Sequence, residues 1–360
     1  MIKVIAVLVF ALLSNGAWAH KASDSFLYFN GDNQELRLDL ALRDMLRLQD
    51  MDLDGDGALR WAELQASETA FKRYIKQGLK VQQQGRDKHC PITMRLAGIT
   101  QYSDGPYASW LIRSPCFAES SGLSLDYQLL FDRDPLHRAL YRLADGESES
   151  IGVLSPSQHR LSLDVTDGSA WQTISNFFYQ GVIHLLLGYD HLLFLLVLLL
   201  PVLNNKEGIS TPMAAVKELS WIVTMFTLSH SITLVLATLG WLVLPSGPVE
   251  VTIALSISLA ALLAFWPHRR FQRYLALGFG LIHGLGFAGV LAGLLSQSAS
   301  TPLALASFNI GIETAQIALV IMAVMLLYPI RHTMFFQRVL VPGSLGITAM
   351  AGLFWAVNRL

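Results

Sequence analysis

Charged side chains are scarce in this chain. Only 15% of its 360 residues are charged, 52% are hydrophobic, and the mean hydropathy is +0.43. A soluble protein of this length carries more charge, so the composition indicates a membrane protein. The net charge of -1 leaves no basic field that could hold nucleic acid, which is therefore excluded as a partner.

Cysteines are also rare, and two common catalytic motifs are missing. The sequence has no Gly-x-Ser-x-Gly and no Gly-x4-Gly-Lys, so serine hydrolysis and ATP-driven pumping find no support. The two cysteines are Cys90 and Cys116, and both fall in the charged N-terminal half. We expect them to pair as a disulfide if that half is exported, with two buried free thiols as the alternative.

The N-terminus predicts a cleavable signal peptide at residues 1–19. Lys3 precedes an apolar run at 4–13 that is too short to span a bilayer, and Ala17-Trp18-Ala19 fits a cleavage site. An uncleaved anchor is the alternative. Most charges then lie between 20 and 170, which predicts an exported domain there and a membrane domain at 171–360.

Six long apolar stretches predict six transmembrane helices in a lipid bilayer. They lie near 176–202, 218–244, 249–266, 274–296, 303–328 and 338–357. The basic residues of the short loops fall in alternate connections: Lys206, Lys217, Arg269, Arg270, Arg273, Arg331 and Arg338. The positive-inside rule therefore predicts that the N-terminal domain and the C-terminus lie outside the cytoplasm.

Ionisable residues interrupt these apolar helices, and each would be costly in hydrocarbon without a partner. The candidate metal ligands are His184, Asp190, His191, His230, His283 and Glu313. Polar residues that could support them or line a pathway are Thr227, Ser231, Glu250, Asn309 and Gln316. Imidazoles with carboxylates suit nickel, cobalt or zinc, or a proton relay, while interhelical hydrogen bonding alone remains the alternative.

Several of these stretches resemble the HupE/UreJ family of bacterial membrane proteins. The resemblance lies in the His-x5-Asp-His pattern of His184, Asp190 and His191, and in the segments 226–234, 250–256, 280–289 and 308–313. It implies a multi-pass protein of the bacterial inner membrane, so the outer side that the loop charges and the signal peptide predict for the N-terminal domain would be the periplasm. It further implies a permease for nickel or cobalt, in which the His-x5-Asp-His residues handle the metal.

An EF-hand-like loop at 52–63 is the sharpest local motif in the exported part. The predicted calcium ligands are Asp52, Asp54, Asp56, the carbonyl of Ala58 and Glu63. A single hand in an exported protein is more often a structural calcium site than a sensor, and an acidic turn without metal is the alternative. Alternating segments at 123–131 and 160–165 predict half-buried strands.

The predicted fold is therefore a polytopic α-helical membrane domain with an exported β-rich α+β domain that contains one EF-hand-like loop. Three functions stay open on the sequence alone. A divalent transition-metal permease or metal-handling protein is favoured over an enzyme. The alternatives are an intramembrane metal-dependent hydrolase and a membrane-anchored, calcium-stabilised binding or assembly module, whose protein partner the sequence does not identify.

Overall fold

The computed structural model describes residues 23–46, 48, 52–56, 59–83, 89–102, 104–118, 122–146, 148–164, 170–204, 211–242, 244–265, 269–295 and 300–359. The side chains of 269–271 and 287–295 fall outside this description. The predicted signal peptide at 1–19, the calcium-loop residues Gly57 and Ala58, and the loop residue Lys206 also lie outside it.

The N-terminal region is β-rich, as its alternating segments predict. Its strands are β1 Asp24–Asn30, β2 Glu35–Ala41, β3 Leu79–Gln83, β4 Thr93–Tyr102, β5 Gly105–Arg113, β6 Leu123–Tyr127, β7 Arg138–Asp145, β8 Ser148–Leu154 and β9 Arg160–Ser162. The larger sheet has the order β4-β5-β2-β1-β7-β8, and β3-β6-β9 form the smaller one. Strand β1 runs parallel to β7, and its other neighbour β2 is antiparallel.

Burial alternates along the strands as the side-chain period of two requires. In β6, Leu123, Leu125 and Tyr127 are buried, and the two residues between them are half-buried. This strand and β9 pair antiparallel, so both segments predicted as strands are confirmed, although they end earlier, at Tyr127 and Ser162.

Three short helices flank the acidic loop. They are α1 Leu42–Leu46, α2 Trp61–Ala66 and α3 Glu68–Gly78. The loop is followed by α2 and α3, which meet at Ser67. Phe71 and Ile75 of α3 are fully buried and anchor it to the domain core. The Sγ atoms of Cys90 and Cys116 are bonded.

The C-terminal region is helical. Its helices are α4 Ala170–Leu187, α5 Tyr189–Asn204, α6 Pro212–Thr238, α7 Ser246–Leu263, α8 Arg269–Leu295, α9 Thr301–Leu327 and α10 Val341–Asn358. Within the described residues, four helices are long and apolar enough to cross a membrane, or five if the bent pair α4 and α5 counts as one span. The chain is therefore a membrane protein with several apolar helices.

The first predicted span, 176–202, is wrong as one continuous helix. It is two helices, α4 and α5, which meet at Gly188 with a bend of 70°. The reason is local, because Gly188 has no side chain, and the carboxylate of Asp190, in the first turn of α5, accepts the backbone N–H of His191, one of the donors that the start of a helix leaves unpaired. His184 and His191 therefore lie on different helices.

Small residues let the helices of this region approach closely. A Cβ on Gly280 would lie 2.4 Å from the carbonyl oxygen of Phe226, and one on Gly284 would lie 2.4 Å from that of His230. The two glycines of this GxxxG motif therefore allow the backbones of α8 and α6 to pack in close contact. In the same way, a Cβ on Gly181 would lie 2.1 Å from the carbonyl oxygen of Phe308, which holds α4 against α9.

Strand β1 contributes to two apolar cores, because its successive side chains point to opposite faces of the sheet. Leu27 and Phe29 pack in the interior of the β-rich domain. Phe26 packs on the other face, in a cluster that also contains Phe177 of α4 and Phe308 of α9. The larger sheet therefore packs directly against the helices α4 and α9.

Candidate metal centre

The break at Gly188 places three polar side chains at one point inside the helical region. His184 lies in the last turn of α4, and Asp190 and His191 lie in the first turn of α5. A Cβ on Gly188 would lie 2.8 Å from both the carbonyl oxygen of His184 and Nδ1 of His191. The bend, and the meeting of these side chains, therefore depend on glycine at this position.

Four imidazoles converge at the break. The ring centroid of His191 lies 4.9 Å from that of His184, 5.2 Å from that of His283 and 6.2 Å from that of His230. These rings come from α4, α5, α6 and α8. The structure thus brings together all four histidines that the sequence names as candidate metal ligands, with His191 in the middle, and we call them the histidine cluster.

Two hydrogen bonds fix the tautomers of two of these rings. The Asp190 carboxylate accepts from Nδ1 of His191 over 3.0 Å, and the carbonyl oxygen of Phe279 accepts from Nδ1 of His283 over 2.9 Å. Since both oxygens only accept, each Nδ1 carries the proton. Nε2 of both His191 and His283 therefore presents a lone pair, the form of imidazole that binds metals.

The cluster is buried among aromatic rings. His191 is 5% exposed, His230 1% and His283 2%. Within the described part of the chain, Nε2 of His191, Nε2 of His283 and both ring nitrogens of His230 have no hydrogen-bond partner. The walls are formed by Phe194, Phe226 and Phe279. Buried nitrogens without partners are costly unless something binds them, so this arrangement suits a cation.

Glu313 does not join the rings but lies in a polar strip between α6 and α9. Its Oε1 accepts the hydroxyl of Thr224. Nearby, Gln316 accepts the hydroxyl of Thr227 over 2.7 Å. Asn309 donates its amide to the carbonyl oxygen of Leu305 over 2.8 Å. Glu313, Gln316, Thr227 and Asn309 therefore form a group of their own, separate from the histidine cluster.

Two further expected residues have local partners. The hydroxyl of Ser231 donates to the carbonyl oxygen of Thr227 on its own helix over 2.7 Å. Glu250 lies in α7, where its carboxylate is 3.8 Å from Nε of Arg359 at the end of the chain. Neither contact brings these residues to the histidine cluster.

The acidic loop of the N-terminal domain contains several carboxylates. One oxygen from each of Asp52, Asp54 and Glu63 lies within 4.8 Å of the other two. Among the described His, Cys, Asp and Glu side chains no other three ligand atoms lie this close together, so the rings of the histidine cluster must move closer to one another to hold one ion. Glu63 also accepts the backbone N–H groups of Leu53 and Arg60, at 2.7 and 2.9 Å. The guanidinium of Arg60 pairs with Asp54 and Asp56, so a cationic side chain now satisfies these carboxylates.

Sequence reasoning missed the helix break, the carbonyl of Phe279 and the aromatic walls. Gly188 followed two residues later by Asp190 is a helix stop and a new start, and this signal could have revealed the break. A backbone carbonyl and the side chains of Phe194 and Phe226 give no signal of their own. Their role appears only when the helices are packed.

Comparison with known proteins supports one assignment. The family model described as HupE / UreJ protein matches residues 160–359, which is more than half of the chain. No curated protein matches the sequence. The matched region contains the whole histidine cluster and the polar strip, and the family is associated in general with nickel and cobalt handling. On this evidence, the chain belongs to the HupE / UreJ family.

Proposed function

We propose that this protein carries a divalent transition metal, of the nickel or cobalt type, across a membrane through its helical region. The observation that carries the proposal is the convergence of His184, His191, His230 and His283 at the break between α4 and α5. In this proposal the four imidazoles bind the metal as cargo, and Asp190 orients His191 from behind.

The chemistry of the cluster favours this cargo. Neutral imidazole nitrogens suit borderline cations such as nickel, cobalt and zinc, whereas calcium and magnesium prefer oxygen. A carboxylate behind a ligating histidine fixes the ring and increases its basicity, as Asp190 would do for His191. Broken helices are a recurring way to build ion sites in transporters, because they place polar groups at membrane depth.

The remaining polar side chains are proposed to line the route. Thr227, Asn309, Glu313 and Gln316 lie along the facing sides of α6 and α9, and Ser231 follows one turn after Thr227. Glu250, at the beginning of α7, would stand at the outer end. Ion pathways are lined in this way by polar groups that face the interior of the bundle.

We further propose that α8 is also a span, which gives six, with the exported domain and the C-terminus on the periplasmic side of a bacterial inner membrane. The helix is 27 residues long, enough for a bilayer at ~1.5 Å per residue. Arg273 of α8 bonds Glu218 of α6 over 2.9 Å, as expected if both helix ends lie on the cytoplasmic side. The signal peptide at 1–19 belongs to the same proposal.

The acidic loop is proposed to hold a structural calcium ion through Asp52, Asp54, Asp56, the carbonyl of Ala58 and Glu63. The three oxygens that lie within 4.8 Å of one another support it, since calcium takes clustered carboxylate oxygens. Arg60 would have to release Asp54 and Asp56 when the ion binds.

The experiment uses the full-length protein, purified in detergent, stripped with chelator and titrated with Ni²⁺ and Co²⁺. Wild type should bind about one ion per chain with the cluster intact, and His184→Ala/His191→Ala should bind at least about tenfold more weakly. His332→Ala is the matched control, because His332 is exposed and outside the cluster. Equal binding by the double variant and wild type would overturn the site.

Uptake by proteoliposomes then separates transport from chemistry. Metal that enters wild-type vesicles, but not vesicles with the double variant, supports a permease. Metal that stays bound through washing and never crosses would instead favour an intramembrane metal-dependent hydrolase.

A further inference from the structure

The polar strip between α6 and α9 contains two oxygens that the interhelical hydrogen bonds do not use. Oε1 of Glu313 accepts from Thr224, but its Oε2 is buried and has no hydrogen-bond partner within the described residues. Asn309 donates its amide to the carbonyl oxygen of Leu305, and its Oδ1 is likewise buried without a partner there. Both side chains need a donor or a cation at these atoms.

The two oxygens belong to one side of α9. Asn309 and Glu313 are four residues apart, so their side chains neighbour each other along the helix, with Cβ atoms ~5–6 Å apart. An ionised carboxylate with one unsatisfied oxygen is expensive at membrane depth. A proton or a small hard cation between Oε2 and Oδ1 would satisfy both atoms at once.

Helix packing alone does not explain why residue 313 is a glutamate. Three residues later, the neutral Gln316 makes the same kind of hydrogen bond to α6, through the hydroxyl of Thr227. An amide therefore serves to join these helices. The carboxyl of Glu313 adds a group that can take up and release a positive charge.

We propose that Asn309 and Glu313 form a second cation site, lined by oxygen only, that takes a hard monovalent cation, a proton or Na⁺, whose movement is coupled to that of the transition metal. The coupling rests on the proposed function. The donor set separates the two sites, because oxygens select hard cations and the imidazoles of the histidine cluster select borderline metals.

The position of the second site suits coupling. Thr224 precedes His230 by six residues on α6, which is about 9 Å along the helix axis. Asn309 directly follows Phe308, whose ring centroid lies 5.4 Å from that of His184. The second site and the histidine cluster are thus neighbours. Cations bound in them would be close enough to repel each other in a low-dielectric interior.

Other charged and titratable groups lie on the helices packed against α9, and they must be considered in any pH dependence. They are Tyr179 and His184 on α4, Tyr189, Asp190 and His191 on α5, and Lys217, Glu218 and His230 on α6. The histidines would titrate in the histidine cluster itself, so a variant at Glu313 is needed to isolate the second site. Glu218 is already paired with Arg273.

The test uses full-length protein in proteoliposomes and compares three reactions: metal exchange without a gradient, net metal uptake under an imposed proton gradient, and net uptake under an imposed Na⁺ gradient. Wild type should exchange metal and should accelerate net uptake at least about tenfold under one of the two gradients, which identifies the cation. The amide oxygen of Glu313→Gln can still accept from Thr224, and for this variant the ratio of gradient-driven to gradient-free uptake should fall to about one, whatever its rate of exchange.

Asn309→Leu should lose the acceleration as well, because it removes the second oxygen and keeps the side-chain volume. Glu218→Gln is the matched control, a carboxylate on α6 outside the strip, and it should retain the acceleration. Gradient-driven uptake by Glu313→Gln at the wild-type rate would overturn the second site, as would wild-type uptake that ignores both gradients. Absence of metal exchange in wild type would overturn the proposed transport and its coupling together.

Discussion

The carboxylate of Asp190 and the imidazole of the adjacent His191 are joined by a 3.0 Å hydrogen bond at the first turn of α5. The same carboxylate oxygen accepts the backbone N–H of His191. One side chain therefore both satisfies a backbone donor in the first turn of α5 and sets the tautomer of the ring at the centre of the histidine cluster. The local fold and the ligand chemistry are thus determined by the same contact.

Removing this contact should weaken metal binding without removing any ligand nitrogen. For Asp190→Ala we expect the affinity for Co²⁺ to fall about 10- to 100-fold, because Nδ1 of His191 loses the acceptor that holds its proton. Titration of the purified full-length protein measures the affinity. An unchanged affinity would show that Asp190 does not orient His191.

Gly188 should tolerate no side chain. In Gly188→Ala the new Cβ would lie 2.8 Å from Nδ1 of His191, so the ring must move and the affinity for Co²⁺ should fall at least about tenfold. Gly278→Ala is the matched control, since among the described residues no atom beyond the backbone of its own helix turns lies within 4 Å of a Cβ at that position of α8. Equal binding by the two variants would argue against a site built at the break.

The N-terminal β-rich domain should lose stability in acid through His137. Burial lowers the pKa of this histidine to about 3, and its ring nitrogens bond the hydroxyls of Ser23 and Tyr127. When the pH falls below about 6.5, the ordinary pKa of histidine, His137 takes up a proton in the unfolded chain but stays neutral in the folded domain. The stabilisation is therefore complete above pH 6.5 and is lost as the pH falls towards 3.

This loss amounts to at most about 1.4 kcal/mol for each pH unit. The urea midpoint of the N-terminal β-rich domain, followed by pulse proteolysis of the full-length protein at pH 7.5, 6.5 and 5.5, measures it. His137→Gln should be less stable at pH 7.5 and show a flatter pH dependence. A wild-type midpoint that does not change between pH 7.5 and 5.5 would contradict the assignment.

Calcium binding to the acidic loop should be limited by Arg60. Its guanidinium pairs with Asp54 and Asp56, so Arg60→Gln removes a competing charge and adds an oxygen at position nine of the loop. We expect the calcium affinity to increase severalfold, measured as a larger calcium-dependent rise of the melting temperature. Glu63→Gln should reduce that rise, and a variant at Arg60 that binds calcium no better than wild type would contradict this role.

Much of the fold can be predicted from the sequence, because the spacing of hydrophobic residues and the distribution of charge indicate the strands and helices directly. The alternation of Leu123, Leu125 and Tyr127 gives the strand β6, and the long apolar runs give the helices. The bend at Gly188 is missed, because the hydropathy on both sides is the same. Only the glycine and the capping carboxylate mark it.

The histidine cluster, too, can be predicted only in part. Costly residues in apolar helices identify His184, His191, His230 and His283 as a group, and the structure brings their rings together. Spacing along one chain could not separate Glu313 from that group. Its partner is Thr224 on another helix, and this pairing depends on how α6 and α9 pack.

X-ray absorption spectroscopy of the full-length protein loaded with one equivalent of Co²⁺ or Ni²⁺ tests the central claim most directly. The histidine cluster predicts at least three imidazole ligands at about 2.0–2.2 Å, with the multiple scattering typical of these rings, and their loss in His184→Ala/His191→Ala. A shell of oxygen ligands only, the same in wild type and the double variant, would contradict metal binding by the histidine cluster.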